Sequence, residues 1–118
     1  MRRREILWCD LEPRLGHTQG AVRPVIIVSA DPYNESRSPL VAVVPLTRAT
    51  AKNPLHVALS EDETGLESAS TALIDQARFI DRSRLRPDAA GKLTYAAQAR
   101  VDRNLARVLG LQVGPTET

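Results

Sequence analysis

The amino-acid sequence predicts a mainly β, α+β domain: a small barrel or half-barrel of short strands capped by a C-terminal helix. Three observations carry that expectation. The chain has 118 residues, the length of one domain, and can bury a core without staples. Its apolar residues between positions 5 and 85 come in short runs rich in valine and isoleucine, separated by clusters of Pro, Gly, Ser and Asp. Only beyond Thr94 does the apolar spacing become that of a helix.

Met1 to Arg4 is a basic lead-in. "EILWCDL", Glu5 to Leu11, is the first strand, with Ile6 and Trp8 on one face, and Pro13 ends it. Arg14 to Ala21 is a loop with Gly16 and Gly20 as flexible points. Pro24 to Ser29 is the second strand, and its nearly continuous apolar run predicts burial on both faces. Ala30 to Pro39 is a polar connection with room for one helical turn. Leu40 to Thr47 is the third strand, where Pro45 predicts an edge or a bulge.

Arg48 to Asn53 is a second polar loop, and Pro54 to Ser60 alternates as a fourth strand. Glu61 to Leu66 is an acidic turn containing Gly65; Ser70 to Gln76 is a fifth strand and Phe79 to Leu85 a sixth. Thr94 is placed to cap a helix with Val101, Leu105 and Val108 on one side and Arg100, Arg103 and Arg107 on the other, stopped by Gly110. One domain spans 1–113, and Gly114 to Thr118 is a loose tail.

Hydrophobic residues make up 42% of the chain, which excludes a disordered protein. Aromatics at 3% argue against a platform that stacks several bases. The net charge of +2 is too small to mark a nucleic-acid binder. Its kind says more: 14 of the 16 basic residues are arginine, whose planar fork suits phosphate. A GC-rich genome would produce the same bias. Cys9 is the only cysteine and His17 and His56 the only histidines, so neither a disulfide, a metal site nor another cofactor is expected. The sequence shows no secretory or membrane-spanning apolar run, which makes a soluble cytoplasmic protein the expectation.

Phosphate-binding loops, dinucleotide fingerprints and nucleophile elbows are all missing from the sequence, and Cys9, in mid-strand, reads as core. A protein without a nucleophile can still cut RNA, because RNA carries its own in the 2′-OH. It then needs a base for that hydroxyl, a cation for the phosphate and an acid for the leaving oxygen. Candidates stand in three places: His17, Thr18, Gln19 and Arg23; Thr47 and Arg48; Asp75, Gln76 and Arg78. Each group lies where an apolar strand turns polar, so all three are expected at one rim. Each also has a plain alternative: a surface-loop histidine, an edge-strand gatekeeper arginine, a turn threonine, and an Asp-Gln pair ending a strand with a side-chain turn.

The order of the blocks "RREILWCDLEP", "GHTQGAVRPVIIVS", "VVPLT", "LHVAL", "ALIDQARFIDRSRL" and "GKLTYAAQARVDRNLARVLGL" resembles the MazF/PemK (Kid) family of toxin endoribonucleases from Arg3 to about Leu111. The resemblance implies an SH3-like small β-barrel of the MazF/CcdB type with a C-terminal helix, forming a homodimer. It further implies metal-independent, sequence-selective cleavage of single-stranded mRNA to 2′,3′-cyclic phosphate and 5′-OH ends, under control of a MazE-type antitoxin. Residue by residue it makes Arg23 the arginine that lines the RNA site and Thr47 a second phosphate-binding position. Asp75 and Gln76 match the acidic residue and glutamine of a third block, His17 the histidine of one subset, and Gln19 the glutamine of G-x-E-Q. On that basis Asp75 is the general base with His17 as its competitor, Arg23 and Thr47 hold phosphate, and Gln19, Arg48, Gln76 and Arg78 position RNA. Three departures stand out: Arg4 where many members have glycine, Thr18 where many have glutamate, and Leu73 where the histidine subset has arginine. Two other readings stand beside this one: a CcdB-like gyrase poison, against which the Arg23, Thr47 and Asp75-Gln76 matches speak, and a member that binds RNA or antitoxin without cutting, which Thr18 keeps open.

Overall fold

The computed structural model describes residues 1–10, 22–50 and 52–112. Seven strands and three helices follow in the order β1 (Glu5–Asp10), β2 (Val22–Ile27), α1 (Asp31–Asn34), β3 (Leu40–Thr47), β4 (Val57–Leu59), α2 (Glu61–Thr64), β5 (Ser70–Ala72), β6 (Arg78–Asp81), β7 (Leu85–Lys92) and α3 (Tyr95–Leu109). Single 3₁₀ turns occupy Ile74–Gln76 and Arg82–Arg84. The strands form one sheet in the order β4-β5-β3-β2-β1-β7, with β6 also paired to β3, and the paired strands run antiparallel.

Both faces of the sheet are buried. Ile6, Ile26, Val44 and Leu46 point to one side, where Ala97 and Val101 of α3 close over them. Leu7, Cys9, Val25, Ile27, Val41 and Val43 point to the other, where Ile80 and Leu85 meet them. Val25, Ile26 and Ile27 are each 0% exposed, as the unbroken apolar run predicts. A polar residue at any of them would face a core, because strand side chains alternate.

Pro45 corrects an expectation: it sits in the middle of the sheet, on neither an edge nor a bulge. One edge of β3 pairs with β2 through Val25↔Pro45, Ile26↔Val44 and Ile27↔Val43. The other pairs with β6 along Leu40 to Val43 and with β5 at Leu46 and Thr47. The Pro45 carbonyl accepts the Leu73 N–H at 2.9 Å on that second edge. A residue's N–H and C=O share a side in a strand, so the N–H that proline lacks would fall in the gap where β6 gives way to β5. No ladder bond is lost.

Other boundaries also move. The fourth strand is only Val57–Leu59. The fifth stops at Ala72, and Ile74 to Gln76 coil into a 3₁₀ turn. The sixth spans Arg78–Asp81, and β7, which the sequence does not predict, follows. With Pro87, Asp88 and Gly91 inside it, β7 carries little strand propensity. It forms because β1 supplies a free edge, with register shifts at Leu7 on β1. The acidic turn is the short helix α2, capped reciprocally by Ser60 and Glu63. Thr94 caps α3 by accepting the Ala97 N–H, and Gly110 ends it in the left-handed conformation. Val108 is 45% exposed, so the buried stripe of α3 ends a turn early. The tail beyond 113 lies outside the described residues.

Arg4 adopts φ +79°, the left-handed region that favours glycine. Its guanidinium lies 3.6 Å over the Tyr95 ring and donates to the Leu93 carbonyl at 2.6 Å. Stacking and hydrogen bond offset a strain of about 1–2 kcal/mol. They tie the start of β1 to the first turn of α3.

The turn α2 is held as tightly. The Glu63 carboxylate receives Arg100 in a fork at 2.7 and 3.2 Å and the Ser60 N–H at 2.9 Å. A Cβ on Gly91 would stand 2.2 Å from the Thr64 carbonyl oxygen, so β7 passes α2 at a distance only glycine allows. Gly91→Ala should therefore destabilise the protein by at least about 1–3 kcal/mol, read as a fall in urea midpoint.

Arg100, then the Ser60 N–H, hold the Glu63 carboxyl down to about 2 from 4.5. A depressed acid stabilises the fold above its unfolded value, and that contribution fades as pH falls from 4.5 toward 2. Glu63→Gln should accordingly cost on the order of 1 kcal/mol at neutral pH, given the part-exposed pair. The gap to wild type should close across that acid window in urea titrations at fixed salt.

Candidate functional site

A cavity of about 680 Å³ opens where β1, β2 and β3 end. Trp8, Pro24 and Leu46 supply its apolar part. They share the sheet face of Ile6, Ile26 and Val44; Leu46 is buried in the core beneath α3, whereas Trp8, outside that core, stays 39% exposed. Arg23, Thr47 and Arg48 supply the polar part from the adjoining positions. The opposite wall is the 65–68 segment and Ala90 of β7, with Glu67 contributing one carboxylate.

Strand register brings these residues together. Val25 pairs with Pro45, so two residues further along each strand Arg23 comes level with Thr47. The Thr47 hydroxyl oxygen accepts the Ala49 N–H at 3.2 Å, which leaves its O–H as a donor for a ligand. Thr71 holds the Ala49 carbonyl at 2.9 Å from the other side, fixing the backbone on both sides of Arg48. Among the described residues, neither the Arg23 nor the Arg48 side chain has a hydrogen-bond or ion-pair partner. Two unneutralised guanidinium forks and a hydroxyl over an apolar floor suit a phosphate with an attached ring.

The first two groups of sequence candidates therefore meet, as far as they are described. His17, Thr18 and Gln19 lie outside the described residues. The third group is not brought to this cavity: Asp75, Gln76 and Arg78 do not line it. Asp75 and Gln76 occupy the 3₁₀ turn after β5, and the Asp75 carboxylate sits 2.9 Å from His56 Nε2. His56 in turn lines a smaller cavity of about 280 Å³ with Arg100, Arg103 and Arg107 of α3. Arg78 starts β6 opposite Val43. The expectation of one common rim fails because the chain coils at Ile74 instead of continuing as a strand. Cys9 is 0% exposed, and burial pushes its thiol up, as suits a core residue.

Two groups around these cavities are not readable as site residues from the sequence. Trp8 shares the parity of Ile6 and reads as core, yet it lies outside the core beneath α3. His56 reads as an alternating strand residue, and its partner lies nineteen positions away.

The fold and groove define a small helix-capped β-barrel with an open, arginine-rimmed cavity. The model of the PemK-like, MazF-like toxin family of type II toxin–antitoxin systems matches residues 2–109. The endoribonuclease MazF of Staphylococcus epidermidis is 36% identical over 116 residues, 94% of this chain and 92% of that protein. That of Staphylococcus saprophyticus is 36% identical over 103 residues, covering 86% and 82%. A solved MazE–MazF structure from Deinococcus radiodurans superposes with a TM-score of 0.79 at 26% identity, covering 95% of this chain and 97% of that one. The chain belongs to the PemK-like, MazF-like toxin family. Its barrel with a C-terminal helix is the family's fold.

Proposed function

We propose that this chain is the toxin of a type II toxin–antitoxin system, an endoribonuclease that cuts single-stranded mRNA at a short motif without a metal ion. The observation that carries the reading is that Arg23, without a side-chain partner among the described residues, and the Thr47 hydroxyl line one apolar-floored groove. The curated relatives are named endoribonucleases, which favours this over a CcdB-like gyrase poison. The 2′-oxygen attacks the neighbouring phosphorus as a base takes its proton. The P–O5′ bond breaks, the departing oxygen receives a proton, and the ends are a 2′,3′-cyclic phosphate and a 5′-OH. Arg23 neutralises the developing phosphorane charge through its fork, and Thr47 donates one further bond. Arg48 and the Gln19 segment hold the strand. The described residues gather no metal-ligating trio of His, Cys, Asp or Glu.

Asp75 as general base then has to come from a second copy, since it does not line the groove of its own chain. We therefore place the working site in a homodimer, with His17 as the competing base. Gln76 and Arg78, next to Asp75, would steady RNA across that junction. The Deinococcus structure is a MazE–MazF complex. We assign a MazE-type antitoxin here, whose acidic segment would compete with RNA for Arg23 and Arg48. Among the described residues no helix is long and apolar enough to cross a membrane, and a cytoplasmic setting completes the proposal.

Purified protein should cut a long single-stranded RNA in EDTA and leave cyclic-phosphate ends; intact RNA, or strict dependence on magnesium, overturns the reading. Arg23→Ala should slow cleavage roughly 10²–10³-fold, about 3–4 kcal/mol, and lysine should restore little. Asp75→Asn should cost on the order of 10²–10⁴. Mixed Arg23→Ala and Asp75→Asn subunits should regain activity, because one of the two hybrid sites holds both native residues. If mixing restores nothing while His17→Ala removes the acidic limb of the pH profile, the base is His17.

A further inference from the structure

We infer that Trp8 is the base-stacking residue of the groove: its indole face receives the nucleobase beside the phosphate held by Arg23. The inference rests on the ribonuclease reading and adds to it the contact that positions the substrate.

Trp8 is the only tryptophan in the chain. The other three aromatic residues, Tyr33, Phe79 and Tyr95, do not line this cavity. Tyr33 and Phe79 pack edge to face on each other, and Tyr95 carries the Arg4 guanidinium. The composition limits the protein to very few stacking contacts, and the fold places its largest ring in the groove, 39% exposed.

The surroundings fit a nucleotide. Trp8 lies opposite Pro24, and its neighbour Cys9 opposite Arg23. Indole and guanidinium come from adjacent strands, and both line the cavity where the sheet ends. One lining residue is flat and apolar and the other cationic, as a nucleotide with its base and phosphate requires. A purely structural tryptophan would bury its face against α3, as Ile6 and Leu46 do. Stacking tolerates any base, so Trp8 accounts for grip and placement, and the cleavage motif is read elsewhere.

Because Trp8 is unique, its emission reports this contact without any substitution. The cut site is first mapped on a long single-stranded RNA in EDTA. A short oligonucleotide spanning it is then made with a 2′-O-methyl group on the nucleotide whose hydroxyl attacks. Titrating this uncleavable RNA into the wild-type protein should quench the Trp8 emission saturably, in step with the anisotropy of a fluorescein-labelled copy. Trp8→Ala should weaken binding about 5- to 150-fold and raise KM with kcat nearly kept, whereas Trp8→Phe should recover most of the affinity. Circular dichroism checks the fold of each variant. Anisotropy that rises while the emission stays constant overturns the stacking role and leaves the ribonuclease reading intact. Absence of both binding and cleavage overturns the two together. Quenching by an acidic peptide but not by RNA overturns stacking in favour of a protein-binding role.

Discussion

Everything in this barrel depends on one strand having three partners. β3 holds β2 along one edge and shares its other edge between β6 and β5. A straight ladder could not accept Pro45, because a neighbouring carbonyl would lose its donor at a cost of about 1–3 kcal/mol. The fork removes that conflict by leaving no acceptor opposite the missing N–H. It also sends β5 and β6 in different directions, so that the short sheet folds around two cores. The chemistry follows from the same register: with Val25 opposite Pro45, Arg23 can only come level with Thr47. A one-residue slip of β2 would turn Val25 and Ile27 to the wrong core, which protects the register that matters for the groove.

The far wall of the groove is built differently. Loop 65–68 and Ala90 have no large apolar side chain to anchor them apart from Leu66. They are placed by polar bonds around α2: the Glu63 carboxylate with Ser60 and Arg100, and the Thr94 N–H on the Glu63 carbonyl at 3.0 Å. Gly91 lets β7 close against Thr64. One wall is therefore fixed by burial and the other by charge and close backbone contact. Among the described residues lining the groove, Glu67 is the one carboxylate beside Arg23 and Arg48.

Much of this was legible in the chain. The apolar runs and their parity marked β1, β2 and β3, and Thr94 and Gly110 marked α3. Arg23 and Thr47 could be singled out because each stands where an apolar run turns polar. What was not legible had long-range causes. β7 has weak propensity and exists because β1 offers an edge. The turn at Ile74 follows from β3 changing partners, and it carries Asp75 away to His56. In the sequence Arg4 stands out only as a departure from the resembled pattern. The structure shows an arginine in a glycine conformation held by Tyr95 and Leu93, residues about ninety positions distant.

Composition and placement answer different questions. A chain with 3% aromatics and a net charge of +2 gives no sign of a nucleic-acid surface, and as an average that is correct. Most of its arginines are engaged in holding the fold, as Arg3 is with Asp102, Arg82 with the Asn34 carbonyl and Arg100 with Glu63. The groove needs only two arginines that have no side-chain partner among the described residues and one indole left partly exposed. An Arg-Pro start to a buried strand is thus more than punctuation. The proline stands opposite Trp8 in the strand register, while the arginine, one position earlier, lines the groove.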